Sequence, residues 1–165
     1  MYLNSFKKAL VILVLIWGLV SCKQENPLSV ELSCNPVSMP VGLVGQWTSG
    51  FDGYELGAAS YKYGFGSAPF SDKSGDISEV CQFDGTVDSG YLIYQLTVNI
   101  YDASTVGKYT VTKWKEYSGN TIKLSDAYKA SGSYIFESTA QAKEVIILNA
   151  ANEGEYFGYF GSYSK

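Results

Sequence analysis

The sequence predicts an all-β domain, an antiparallel meander of about eight strands closing into a barrel, with one short helix before the last strand. Three observations predict it. Beyond Pro40, tyrosine, threonine, valine and isoleucine concentrate in runs separated by glycine and aspartate, the composition of strands and turns. Consecutive runs are joined by short hairpin signals, so neighbouring strands are antiparallel. A small antiparallel sheet with that many strands has two bare edges, and closing the sheet on itself removes them.

The chain starts with Lys7 and Lys8 ahead of the apolar run "ALVILVLIWGLV", the layout of a secretory leader. Those twelve apolar residues rise only about 18 Å as a helix, short of the roughly 30 Å hydrocarbon core. The junction Leu19-Val20-Ser21-Cys22 resembles the lipobox of bacterial lipoproteins. The resemblance implies that residues 1–21 are a cleaved signal peptide and that Cys22 carries acyl chains. It places the protein in the bacterial cell envelope, anchored through membrane lipid on the periplasmic or the cell-surface side of the outer membrane. One acyl chain holds only marginally, whereas several anchor durably. Residues 22–40 hold three of the four prolines and read as a spacer, leaving 41–165 for the barrel domain.

Within that domain, strands are expected near 42–49, 53–64, 77–86, 91–101, 107–117, 120–126, 132–137 and 155–164. The clearest is "YQLTVNIY", in which Tyr94, Leu96, Val98 and Ile100 form an apolar stripe opposite Gln95, Thr97 and Asn99. Asp88-Ser89-Gly90 and Ser118-Gly119-Asn120 supply hairpin turns on either side. The weakest is 53–64, interrupted by Gly57 and two alanines. Ser138 with Gln141 matches a capping box, and Ala142, Val145, Ile146 and Asn149 follow at helical spacing, with Gly154 as a stop.

Composition excludes whole classes of chemistry. The chain has no histidine and no arginine, so Ser-His-Asp, Cys-His and His-ligated zinc sites are impossible. Sixteen acids against twelve lysines argue against nucleic acid as a partner, because phosphates reward clustered cations. The acids of "FDGYE" and "SDKSGDISE" (Asp52, Glu55, Asp72, Asp76, Glu79) lack the alternating spacing of a calcium loop and read as solvated turns. No cofactor, metal or catalytic set is expected. Cys34 and Cys81 remain after the tether; a disulfide between them and two separate buried thiols are both open, with the bridge favoured in an oxidising compartment.

"VGLVGQWTSG" puts Gly45-Gln46-Trp47 on the first strand of the domain, which resembles the Gly-x-Trp signature of lipocalin-like barrels. The resemblance implies a tryptophan packed across the closed end of an eight-stranded barrel. Lipocalins pair that tryptophan with an arginine on the last strand; this chain has none, and Lys165 is the cation nearest that position in sequence. A barrel of this size is either filled by side chains or able to hold one small ligand. The expected function is therefore non-catalytic binding of a small hydrophobic or amphipathic molecule, with Trp47, Tyr61, Tyr63, Tyr94, Trp114 and Tyr156 as the lining. Trp114, sharing its face with Thr110, Thr112 and Glu116, is also a candidate for the outer surface. The alternative function is a filled barrel whose loops, including 65–79, hold a glycan or another envelope protein.

Overall fold

In the computed structural model, residues 32–36, 38–83, 85–128, 134–147 and 153–165 are described; the leader, Cys22 and the start of the spacer lie outside them. Nine strands form one antiparallel sheet: β1 (Leu32–Pro36), β2 (Gly45–Thr48), β3 (Asp52–Leu56), β4 (Ser60–Phe65), β5 (Lys73–Phe83), β6 (Gly90–Asn99), β7 (Tyr109–Lys115), β8 (Thr121–Asp126) and β9 (Gly161–Ser164). Strands β2 to β8 follow one another as neighbours, β9 pairs with β8, and Thr48 opposite Ser164 joins β9 back to β2. The result is a closed eight-stranded barrel with β1 outside it. β1 lies within the segment read from its prolines as spacer, and it pairs with the far half of β5 from Glu79 to Phe83.

Alternation along the strands sorts the apolar side chains into two cores. The inner one fills the barrel with Leu43, Trp47, Leu56, Tyr61, Leu92, Tyr94, Trp114, Ile122 and Leu124 among others. The outer one holds the odd-numbered partners on β6 and β7, Tyr91, Ile93 and Val111, under a helix. That helix, α1, begins as an α-turn at Thr139–Ala142 and continues as a π-turn at Lys143–Ile147. Its start is fixed as the capping pattern foretold, with Ser138 Oγ accepting from the Gln141 amide at 3.2 Å. Gln141 Oε1 reaches back to accept from Glu137 N at 2.8 Å. Ala142, Ile146 and Ile147 then face the outer core. The helical position given to Asn149 lies outside the described residues.

Besides β1, and β5, which spans Lys73–Phe83 where 77–86 was expected, four elements differ from expectation. Residues 53–64 form two strands, because Gly57-Ala58-Ala59 is the turn between β3 and β4, closed by Gly57 N donating to Ser60 O at 2.8 Å. Of 132–137, the described part makes a single bridge, Tyr109 with Phe136. The last strand is only Gly161–Ser164, since Glu153–Tyr156 is a short helix, α2, and Gly154 lies inside it rather than stopping α1. On β6, Val98 and Ile100 leave the apolar stripe and are 41% and 64% exposed. A bulge causes this: Ser74 pairs with Val98 and Gly75 with Leu96, so Thr97 is extra and the parity flips beyond it. Asn99 becomes the buried residue and donates to Thr105 Oγ1 at 2.9 Å.

Cys34 and Cys81 face each other across β1 and β5 and are joined in a disulfide that spans 47 residues of sequence. Replacing both by serine is expected to cost about 2 kcal/mol, the low end of the usual range, because β1 lies outside the closed barrel. Urea denaturation with and without reductant checks this; an unchanged midpoint would mean that β1 contributes nothing to the cooperative unit.

Candidate functional site: the open end of the barrel

The two ends of the barrel differ in kind. At one end, Trp47 is fully buried and its Nε1 donates to Leu43 O at 2.8 Å, with the Tyr117 ring edge-on at 6.2 Å. Lys165 places its Nζ 4.5 Å over the Trp47 ring and donates to the carbonyls of Gly42 and Val44, at 2.7 and 2.9 Å. Cation–π attraction and two carbonyl acceptors thus hold one lysine across the end. Trp114 closes the same end, its Nε1 donating to Val87 O at 2.9 Å. Its expected placement on the outer surface is corrected: Trp114 is fully buried, and the face it shares with Thr110 and Thr112 is the barrel interior.

The threonines face inward because a carboxylate waits there for one of them. Asp126, at the end of β8, accepts from Thr112 Oγ1 at 2.6 Å and from Lys73 Nζ at 2.8 Å. The Tyr61 hydroxyl lies 2.9 and 2.7 Å from its two oxygens. Burial alone pulls the Lys73 ammonium down, but the Asp126 charge and hydrogen bond more than reverse this, and the net shift is upward. Behind the pair, Tyr61 and Tyr94 stack at 4.0 Å with 17° between their planes. Gly75 makes room for them, since a Cβ there would stand 2.7 Å from the Tyr94 ring. Burial, reinforced by the Asp126 charge, holds the hydroxyls of Tyr54, Tyr61 and Tyr94 above the usual tyrosine value.

A second carboxylate sits nearer the opening. Asp52 accepts from the hydroxyls of Tyr63 at 3.1 Å and Tyr163 at 3.0 Å, and from Ser49. Their rings pack around Tyr54, each with its centroid 5.0 Å away. Burial first, then the neighbouring Asp52 charge, raises the Tyr63 and Tyr163 hydroxyls as well. Among the described residues no buried polar side-chain atom lacks a partner, so this interior is a satisfied network rather than a strained one.

Above these two networks lies a cavity of about 600 Å³, open to solvent at this end. Asp52, Tyr54, Tyr63, Lys73, Asp126 and Tyr163 form its floor and barrel wall. Leu124 and Ser125 of β8, Tyr128, α2 with Glu155 and Tyr156, and Gly158, Tyr159 and Gly161 form the rest. Of the residues expected to line a ligand, Tyr63 and Tyr156 line this cavity. Tyr61 and Tyr94 are buried beneath the floor, and Trp47 and Trp114 belong to the plugged end. The polar residues Asp52, Lys73 and Asp126 were not foreseen as part of a site, nor were Tyr54 and Tyr163. A signal existed for Asp126: it shares parity with Ile122 and Leu124 on β8, so it is a carboxylate on an apolar stripe.

The carboxylates of the acidic segments are engaged with separate partners. Glu55 pairs with Lys62 at 2.7 Å, Asp72 accepts from Phe65 N and the Tyr101 hydroxyl, and Glu79 pairs with Lys143 at 2.8 Å. Glu79 also lies beside the two cysteine sulfurs, but these are spent in the disulfide. The arrangement at the open end is therefore suited to holding a molecule, with aromatic walls for apolar surface and converging oxygens for a polar head. The chain matches no known family model, no curated protein and no solved structure.

Proposed function

We propose that this chain is a non-catalytic, lipid-anchored protein of the bacterial cell envelope whose lipocalin-like barrel binds a small hydrophobic or amphipathic molecule at its open end. One observation carries the binding half: a cavity of about 600 Å³, aromatic in its walls, at one end of a barrel whose other end is plugged. That volume lies within the span of small-molecule sites. The lipobox at Cys22 supports the anchoring half, and acyl chains there would hold the cavity beside a membrane.

Native mass spectrometry and displacement of a neutral fluorescent amphiphile, with the full chain in lipid nanodiscs, test the reading. Saturable binding at one site per chain is expected, and binding that never saturates above empty nanodiscs would contradict it. Gly158→Trp should block the cavity, since a Cβ there meets only Gly154 O at 3.9 Å and the larger ring has room to lie over the opening. Its expected effect is at least a tenfold loss of probe affinity. Cys22→Ser is expected to release the protein from the membrane fraction.

A second reading is favoured by the rim. Phe51, Phe65 and Tyr159 are 83%, 64% and 81% exposed around a depression that adjoins the cavity through Asp52, Gly161 and Tyr163. Such rings stack on a sugar or on a partner protein, so the rim itself would hold a glycan or an envelope protein. A glycan array with Phe51→Ser as control separates this from cavity binding.

A further inference from the structure

We infer that the ligand of the open cavity carries an organic ammonium head, held by Asp52 between the tyrosine rings. The inference rests on the cavity reading and adds the chemistry of the head.

The first observation is the charge balance. Apart from Glu155, the described lining sets two carboxylates, Asp52 and Asp126, against one ammonium, Lys73. That ammonium is committed to Asp126 at 2.8 Å. An anionic head would meet net repulsion from the carboxylate that is left over here.

The second is the set of partners that Asp52 has. Its hydrogen bonds come from Ser49, Tyr63 and Tyr163, all neutral hydroxyls, and among the described residues it has no ion pair. A carboxylate offers about four acceptor positions, so three hydroxyls leave both capacity and charge unspent. It is held in place and not neutralised, as an anion meant for an incoming cation would be.

The third is the ring geometry. Tyr54, Tyr63 and Tyr163 cluster within 5.0 Å of one another's centroids along two contacts, and Tyr63 and Tyr163 both donate to Asp52. A phenol that donates to a carboxylate is polarised toward a more electron-rich ring, which strengthens its hold on a cation. A metal ion fits less well, because Asp52 and Asp126 belong to separate hydrogen-bond networks.

The test uses the full chain in nanodiscs with a neutral fluorescent amphiphile bound. Three competitors displace it: benzyltrimethylammonium, its uncharged isostere with carbon in place of nitrogen, and phenylacetate. Benzyltrimethylammonium is expected to compete about tenfold better than the isostere, and phenylacetate worst. Asp52→Asn, which keeps the size and an acceptor oxygen, should erase the preference for the cation over the isostere. Equal competition by all three, or a preference that survives Asp52→Asn, would overturn the inference while the cavity reading stands. If the fluorescent amphiphile itself never binds saturably, the cavity reading falls with it. Discs of phosphatidylcholine and of phosphatidylglycerol separate two sources of the same head. Weaker apparent competition in the choline lipid would mark a lipid headgroup as occupant, and equal competition a free amine.

Discussion

Asp126→Ala is expected to destabilise the barrel by about 3–5 kcal/mol, the cost of removing one partner from a buried ion pair. The side chains of Lys73 and Asp126 are only 16% and 18% exposed, so water in the cavity replaces the lost partner only in part. Three groups would lose their acceptor together: the Lys73 ammonium, the Thr112 hydroxyl and the Tyr61 hydroxyl. Lys73→Met should cost less, because Asp126 keeps both hydroxyl donors. Adding Lys73→Met to Asp126→Ala should recover part of the loss by removing the stranded charge. Urea denaturation of the four proteins gives the coupling directly. A loss below about 1 kcal/mol for Asp126→Ala would place the pair among exposed bridges, which contribute little.

The barrel is also expected to unfold in alkali, with stability flat below about pH 10 and falling steeply above it. The sign follows from which state holds its protons. In the unfolded chain each tyrosine ionises near its ordinary value of about 10. Tyr54, Tyr61 and Tyr94 are held above that value in the fold by burial and by the Asp126 charge, so the folded state keeps protons that the unfolded state releases. Each such tyrosine contributes on the order of 1 kcal/mol of lost stability by about pH 11, and the three together on the order of a few kcal/mol. Lys73, also raised in the fold, acts in the same direction. Thermal unfolding across this range, with tyrosinate absorbance read in parallel, checks it. Tyrosinate absorbance should jump with unfolding; smooth titration of every tyrosine near pH 10 in a folded protein would contradict the buried network.

The strands most legible in the sequence were those bounded by short glycine turns, β6 to β8, since a hairpin signal and an alternating run agree there. Local composition misled at the start of β5. Lys73-Ser74-Gly75-Asp76 reads as a turn, yet it pairs with β4 on one side and β6 on the other, and the closed ladder overrides local preference. The fate of Val98 and Ile100 depended on one extra residue, Thr97, and no single strand carries the signal for a bulge because it exists only relative to a partner.

The candidate site was harder to see for a related reason. Tyrosine-rich strands pointed to an aromatic interior, and Tyr63 and Tyr156 do line the cavity. Trp114 misled because two threonines on its face looked like a wet surface, whereas Thr112 turns inward to Asp126. Asp52, Lys73 and Asp126 come from β3, β5 and β8, so only closure of the barrel brings them to one opening. Charge on an apolar stripe, as at Asp126, was the one clue that a single strand could carry.

The central claim is that one end of the barrel is plugged and the other receives a ligand. The two indoles within the described residues, Trp47 and Trp114, both belong to the plugged end, while Tyr63, Tyr163 and Gly161 stand at the open one. An NMR titration of the full chain in nanodiscs with the neutral amphiphile therefore reports each end separately. Saturating shifts at Tyr63, Gly161 and Tyr163 with stationary indole N–H signals are expected; shifts centred on the indoles, or none that saturate, would contradict the assignment of the site.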